Sequence, residues 1–130
     1  MSPSQYPSRP VAESSSGMVV CPHYLASEAG LGILRRGGSA VDAAIATNAA
    51  LGVVYPHMTG LGGDAFWLMY DAQSKKVLGL NGSGRAGRQV TREVYTDKGF
   101  STIPQRGPLA ANTVPGAVDS WWQAHQRFGR

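Results

Sequence analysis

The residues best suited to chemistry lie in one short run, Asn81-Gly82-Ser83-Gly84-Arg85. Glycine on both sides of Ser83 frees the backbone to offer N–H donors to a small anion. A guanidinium two residues on can grip a carboxylate through two parallel hydrogen bonds. Recognition of a small acid is the chemistry this run could support, and a surface turn with a solvated arginine has the same composition. The other reactive side chains stand apart. His23 has no His, Cys or carboxylate at metal-ligand spacing and no partner for proton transfer, which predicts a structural histidine. Cys21, the single cysteine of the sequence, follows an apolar run and reads as a small packed residue. Gly60, Gly62 and Gly63 invite a phosphate-loop reading, but this loop leaves a helix and enters a strand, the reverse of nucleotide-binding order, and no Gly-Lys-Ser/Thr follows. A tight turn lining a pocket is expected there, with no metal and no cofactor.

The elements that must hold these residues are well signalled. Residues 37–71 read as a helix, a glycine-rich bend at 57–63 and an apolar strand at 65–70. Ser39 can cap the helix, with Asp42 three residues on as the reciprocal partner. From Ala40 to Val54 the alanines fall on every side of a 3.6-residue wheel, so this helix should be covered nearly all round and lie flat against a sheet. It is too short and too interrupted for a membrane span. Tyr24–Arg36 reads as an amphipathic helix ended by two arginines and Gly37-Gly38. Met18–Cys21 could form a strand. The continuous apolar run Ala65–Tyr70 suggests a strand covered on both faces, returning as a hairpin through Lys76–Leu80. A short helix capped by Thr91, an irregular connection over 101–116 and a helix over Ala117–Phe128 complete the chain. In that last helix Val118, Trp121, Trp122, His125 and Phe128 fall on one stripe, predicted to be core.

The sequence has 130 residues, a net charge of +4 and 42% hydrophobic residues, enough for one domain with a core. Twelve basic residues are scattered without a stripe, which speaks against nucleic-acid binding. The isolated cysteine suits a reducing compartment, and the Ser/Pro-rich start lacks the apolar stretch of a signal peptide, so a cytoplasmic protein is expected. Residues 1–16 read as a flexible arm before a domain portion at 17–130. The final helix stops without a partner half, which suggests the start of a longer protein.

Taken in order, Gly17–Asp71 and the block Val114–Gly129 (VPGAVDSWWQAHQRFG) resemble the N-terminal part of the large subunit of the gamma-glutamyltransferase (gamma-glutamyltranspeptidase) family. The resemblance implies an α+β fold, the αββα sandwich of N-terminal-nucleophile (Ntn) hydrolases, of which this chain is only a part. It also implies a proenzyme that cuts itself before a threonine. That threonine becomes the nucleophile of the small subunit and has its own α-amino group as base. No residue of this chain is that catalytic group. The implied partners are the small subunit from the same precursor and a small-molecule amide, with no nucleic acid and no membrane, and a higher oligomer left open. In glutathione-using members a pattern like L-D-x-R-E-x-A-P carries the arginine that holds the γ-glutamyl α-carboxylate. Here Leu80–Gly87 aligns with it, Ser83 stands in the arginine place and Arg85 lies two residues on. The Gly-Ser-Gly-Arg form resembles a side branch that includes oxamate amidohydrolase, making Arg85, Ser83 and Asn81 the candidate substrate contacts. Gamma-glutamyl transfer or glutathione hydrolysis is the alternative activity, and a non-catalytic small-acid-binding fragment the alternative of another class.

Overall fold

A computed structural model describes residues 11–130. Of the expected arm, residues 1–10 lie outside the described residues, and residues 11–16 are exposed and carry no helix or strand. The elements are α1 (Tyr24–Arg35), α2 (Ala40–Val54), β1 (Ala65–Asp71), β2 (Lys76–Gly82), α3 (Arg92–Thr96) and α4 (Ala117–Phe128), with a 3₁₀ turn at Pro108–Ala110.

Local chemistry sets the ends of the first two helices. His23 caps α1, its Nδ1 accepting from the Leu25 N–H, the structural role its isolation predicted. Cys21 is half-buried with its sulfur against the His23 carbonyl and the Ser27 hydroxyl. At the far end Gly37 takes a φ of 85°, a region costly for side chains, and the N–H groups of Gly37 and Gly38 close onto the Leu34 and Ile33 carbonyls. Ser39 and Asp42 then form the expected reciprocal cap, with Asp42 N–H on Ser39 Oγ at 3.1 Å and Ser39 N–H on Asp42 Oδ2 at 2.9 Å.

Helices α1 and α2 pack closely because Gly30 leaves room for Thr47. A Cβ at Gly30 would collide with the Thr47 hydroxyl, which itself donates to the Ala43 carbonyl at 2.8 Å. This pairing corrects the expectation that α2 lies flat on the sheet. Its main partner is α1, α4 touches it, and a cleft separates it from β1. Only Val41, Ala43, Thr47 and Leu51 of α2 are buried, so the cover is not all round. Met18–Cys21 is not a strand either. The sheet of the described residues is the β1–β2 hairpin, and Met18–Cys21 does not pair with it.

The hairpin is antiparallel with Ala65 opposite Gly82 and Asp71 opposite Lys76. Asp71 stabilises its turn by accepting from the N–H groups of Gln73 and Ser74. One face is open rather than covered as expected: Phe66, Leu68 and Tyr70 are exposed while Trp67 and Met69 are half-buried. The alternation is that of a sheet packed on one side. Helix α4 supplies that side through Ala117, Ser120 and Ala124, not through the aromatic stripe, and Trp122 is 62% exposed. Small residues are required because β2 and α4 meet at backbone distance. No described helix is long and apolar enough to cross a membrane.

Candidate functional site

Three strips of backbone converge at the end of the hairpin: Gly63-Asp64 from the glycine bend, Gly82–Ala86 leaving β2, and Thr113–Ala117 entering α4. The Gly63 carbonyl accepts from both Gly116 N–H (3.1 Å) and Ala117 N–H (3.0 Å), using donors that a helix start leaves free. Thr113 faces Ala86 in an isolated antiparallel bridge, and Val114 N–H donates to the Arg85 carbonyl at 2.8 Å. A Cβ at Gly84 would strike the Val114 carbonyl, and one at Gly116 the Gly82 carbonyl. The glycines of the Gly-Ser-Gly run therefore answer a packing demand from residues about thirty positions away.

Within this junction the three candidate contacts take different places. Asn81 pairs with Phe66 at the end of β2, and its Oδ1 accepts from Ser83 N–H at 2.9 Å, an Asx turn that bends the chain out of the strand. Ser83 is half-buried. Arg85 is exposed, and among the described residues its guanidinium has no ion-pair partner. Its backbone is fixed, whereas its charge is free to meet an anion.

Sequence reasoning missed the groups that hold this turn. Asp64 closes the glycine bend, and its Oδ1 accepts from Gly84 N–H at 3.3 Å and from the Thr113 hydroxyl at 3.5 Å. Its only signal was a carboxylate between a glycine run and a strand. Behind it, Trp67 Nε1 donates to Ser120 Oγ at 3.0 Å, and that hydroxyl, buried, donates to the Ala117 carbonyl at 2.6 Å. The expectation that the bend lines a pocket holds. Gly60, Gly63 and Asp64 border a cleft of about 560 Å³ together with Asn48, Thr59 and Trp67. Asn81, Ser83 and Arg85 stand outside its lining. Among the described residues no group of three or more His, Cys, Asp or Glu could hold a metal ion.

A second polar junction sits on the other side of α2. Asp42 accepts from Arg130 N–H at 2.9 Å and lies 2.8 Å from His125 Nδ1, tying the cap of α2 to the end of α4. Burial would raise its pKa, but hydrogen bonds from Ser39, His125 and Arg130 outweigh that and hold the carboxyl down at about 2.

The junction is built from segments that the resemblance covers, and comparison with known proteins agrees. Residues 26–130 match the family profile Gamma-glutamyltranspeptidase. The chain belongs to the gamma-glutamyltranspeptidase family. Among family relatives it is 60% identical over 113 residues to the "Glutathione hydrolase-like YwrD proenzyme" of Bacillus subtilis, covering 87% of this chain and 21% of that protein. It is 50% identical over 111 residues to the "Oxamate amidohydrolase proenzyme" of Klebsiella pneumoniae, covering 85% and 20%. The chain thus spans about a fifth of the length of these curated relatives. Among solved family-like structures, the cephalosporin acylase from Bacillus halodurans superposes with a TM-score of 0.88 at 43% identity, covering 97% of this chain and 23% of that one. The Helicobacter pylori gamma-glutamyltranspeptidase gives 0.82 at 31% identity, covering 93% and 35%. The helices and hairpin described above are accordingly an α+β part of the Ntn-hydrolase fold, as the family resemblance implied.

Proposed function

We propose that the full protein is an amidohydrolase acting on a small amide that carries a carboxylate, with oxamate as the leading substrate. In this reading the precursor cleaves itself, and the hydroxyl of the new N-terminal threonine, outside this chain, attacks the amide carbonyl. The α-amino group takes the hydroxyl proton and returns it to the leaving amine, and water then releases the acid. The large-subunit portion described here supplies a cation for the carboxylate. Arg85 carries this reading: it is a solvent-facing guanidinium on a turn whose backbone is pinned by Val114. The oxamate amidohydrolase of Klebsiella pneumoniae, at 50% identity, supports the choice of substrate.

The two-subunit arrangement has its own support. Both relatives are named as proenzymes, and the open face of the hairpin presents Phe66, Leu68, Tyr70 and Val77 to solvent. A stripe of that size is what a covering layer from the rest of the precursor would bury.

Hydrolysis of glutathione is the second reading, favoured by the 60% identity to a glutathione hydrolase-like protein. Against it, Ser83 occupies the place where the resemblance puts the arginine of glutathione-using members. Incubating the purified full-length product with oxamate, glutathione and a γ-glutamyl anilide separates the two. Ammonia from oxamate alone supports the first reading, and release of anilide or glutamate supports the second. Mass spectrometry of the same sample decides whether it is an enzyme of this kind at all, since a chain that stays intact, with no new N-terminal threonine, excludes the mechanism.

A further inference from the structure

We propose that Asp64 is a positioning residue for Arg85 and so a determinant of selectivity for carboxylate-bearing substrates. The inference rests on the functional reading above and deepens it. Arg85 lies between two residues whose backbones are held from outside the turn. On one side Gly84 gives its N–H to Asp64 Oδ1, and on the other Ala86 is bridged to Thr113. The same Asp64 oxygen takes the Thr113 hydroxyl, so one carboxylate touches both the residue before Arg85 and the segment that braces it. Its own backbone is anchored one residue earlier, where the Gly63 carbonyl takes the two N–H groups that begin α4. Asp64 also borders the 560 Å³ cleft, whereas Arg85 does not.

The physical consequence is directional. Gly82 ends β2 opposite Ala65 and Gly84 lies against the Val114 carbonyl, so the backbone before Arg85 is already closely packed and has little room to shift. The Asx bond from Asn81 ends at Ser83, so the next peptide N–H, that of Gly84, is the last point at which the chain can be steered before the arginine. Removing the Asp64 carboxylate leaves Arg85 held only by Val114 and the Ala86–Thr113 bridge, so its approach to a bound carboxylate is less closely fixed, a loss that falls on substrates with that carboxylate and not on their neutral counterparts.

The test uses the full-length, self-processed enzyme and compares initial ammonia release from oxamate with that from oxamide, which replaces the carboxylate by a neutral amide. The readout is the ratio of the two kcat/KM values. In Asp64→Ala this ratio falls about three- to tenfold, mainly through KM for oxamate, the scale of one ordinary hydrogen bond. In Arg85→Ala it falls at least as far, and adding Asp64→Ala to that variant lowers it no further, because the group being positioned is already gone. Asp64→Asn, which keeps an acceptor toward Gly84, recovers most of the ratio. Should Asp64→Ala accumulate as uncleaved precursor, Asp64→Ser carries the same comparison with a side chain too short to reach Gly84. A ratio within twofold of wild type in processed Asp64→Ala or Asp64→Ser overturns the positioning role, as does a further loss of equal size in the double variant. A wild-type protein that neither splits nor releases ammonia from oxamate instead sinks the functional reading, and this proposal with it.

Discussion

The indole N–H of Trp67 and the hydroxyl of Ser120, 53 positions apart in sequence, meet at 3.0 Å and lock the inner face of the hairpin to α4. Ser120 is 1% exposed, so neither water nor a neighbouring group can replace it as the acceptor without rearrangement. This packing holds both approaches to Arg85, because β2 leads into the turn and α4 is entered from the segment that braces it.

Ser120→Ala should therefore destabilise the full-length protein by about 1–3 kcal/mol, the cost of leaving the Trp67 N–H unpaired in a partly buried setting. Trp67→Phe, which removes the donor as well, should cost less for hydrogen bonding alone. Urea unfolding of the two variants checks the order.

Gly84→Ala should be more damaging than its one added methyl suggests. The Cβ points into the Val114 carbonyl, a backbone atom that cannot swing aside, and the turn must open to admit it. A loss of about 1–3 kcal/mol or more is expected for such overpacking. The yield of soluble full-length protein and the thermal midpoint report it, with Gly60→Ala, where a Cβ meets open space, as the comparison.

Asp42 gives a pH dependence of defined sign. Its folded pKa of about 2 lies below the ordinary 3.8, so the native state gains from its ionised form at every pH above 3.8. That gain fades as pH falls from 3.8 toward about 2 and is gone below it. Thermal midpoints of wild type and Asp42→Asn should differ fully near neutral pH and converge in that acidic window. A constant difference across the window would show that the side chain acts through shape and not charge.

On the open face of the hairpin, Leu68→Asp tests the proposed covering layer. Leu68 is 82% exposed here, and an aspartate would cost almost nothing if the face stayed in water. If the remainder of the precursor buries it, an unpaired charge there should cost about 3–5 kcal/mol and reduce soluble, processed protein sharply. Quantifying the two subunits after expression distinguishes these outcomes.

Short-range chemistry made much of this protein legible from its residues. The reciprocal Ser39–Asp42 cap, the Gly37-Gly38 stop and the β1–β2 hairpin each depend on neighbours within a few positions, so the sequence alone determined them. The family followed from ordered blocks along the chain, and with it the α+β class. What faces what was decided only in three dimensions. Apolar Ala65–Tyr70 asks for cover on both faces, of which the described residues supply one, and the aromatic stripe of α4 predicts a different buried face from the Ala117, Ser120 and Ala124 side, since periodicity reveals a stripe but not the spacing its partner demands. Asn81, Ser83 and Arg85 could be picked out by type, but the carboxylate that steadies their turn could not. Asp64 lies 20 positions from Gly84 and 49 from Thr113, and contacts of that span exist only once the chain has folded.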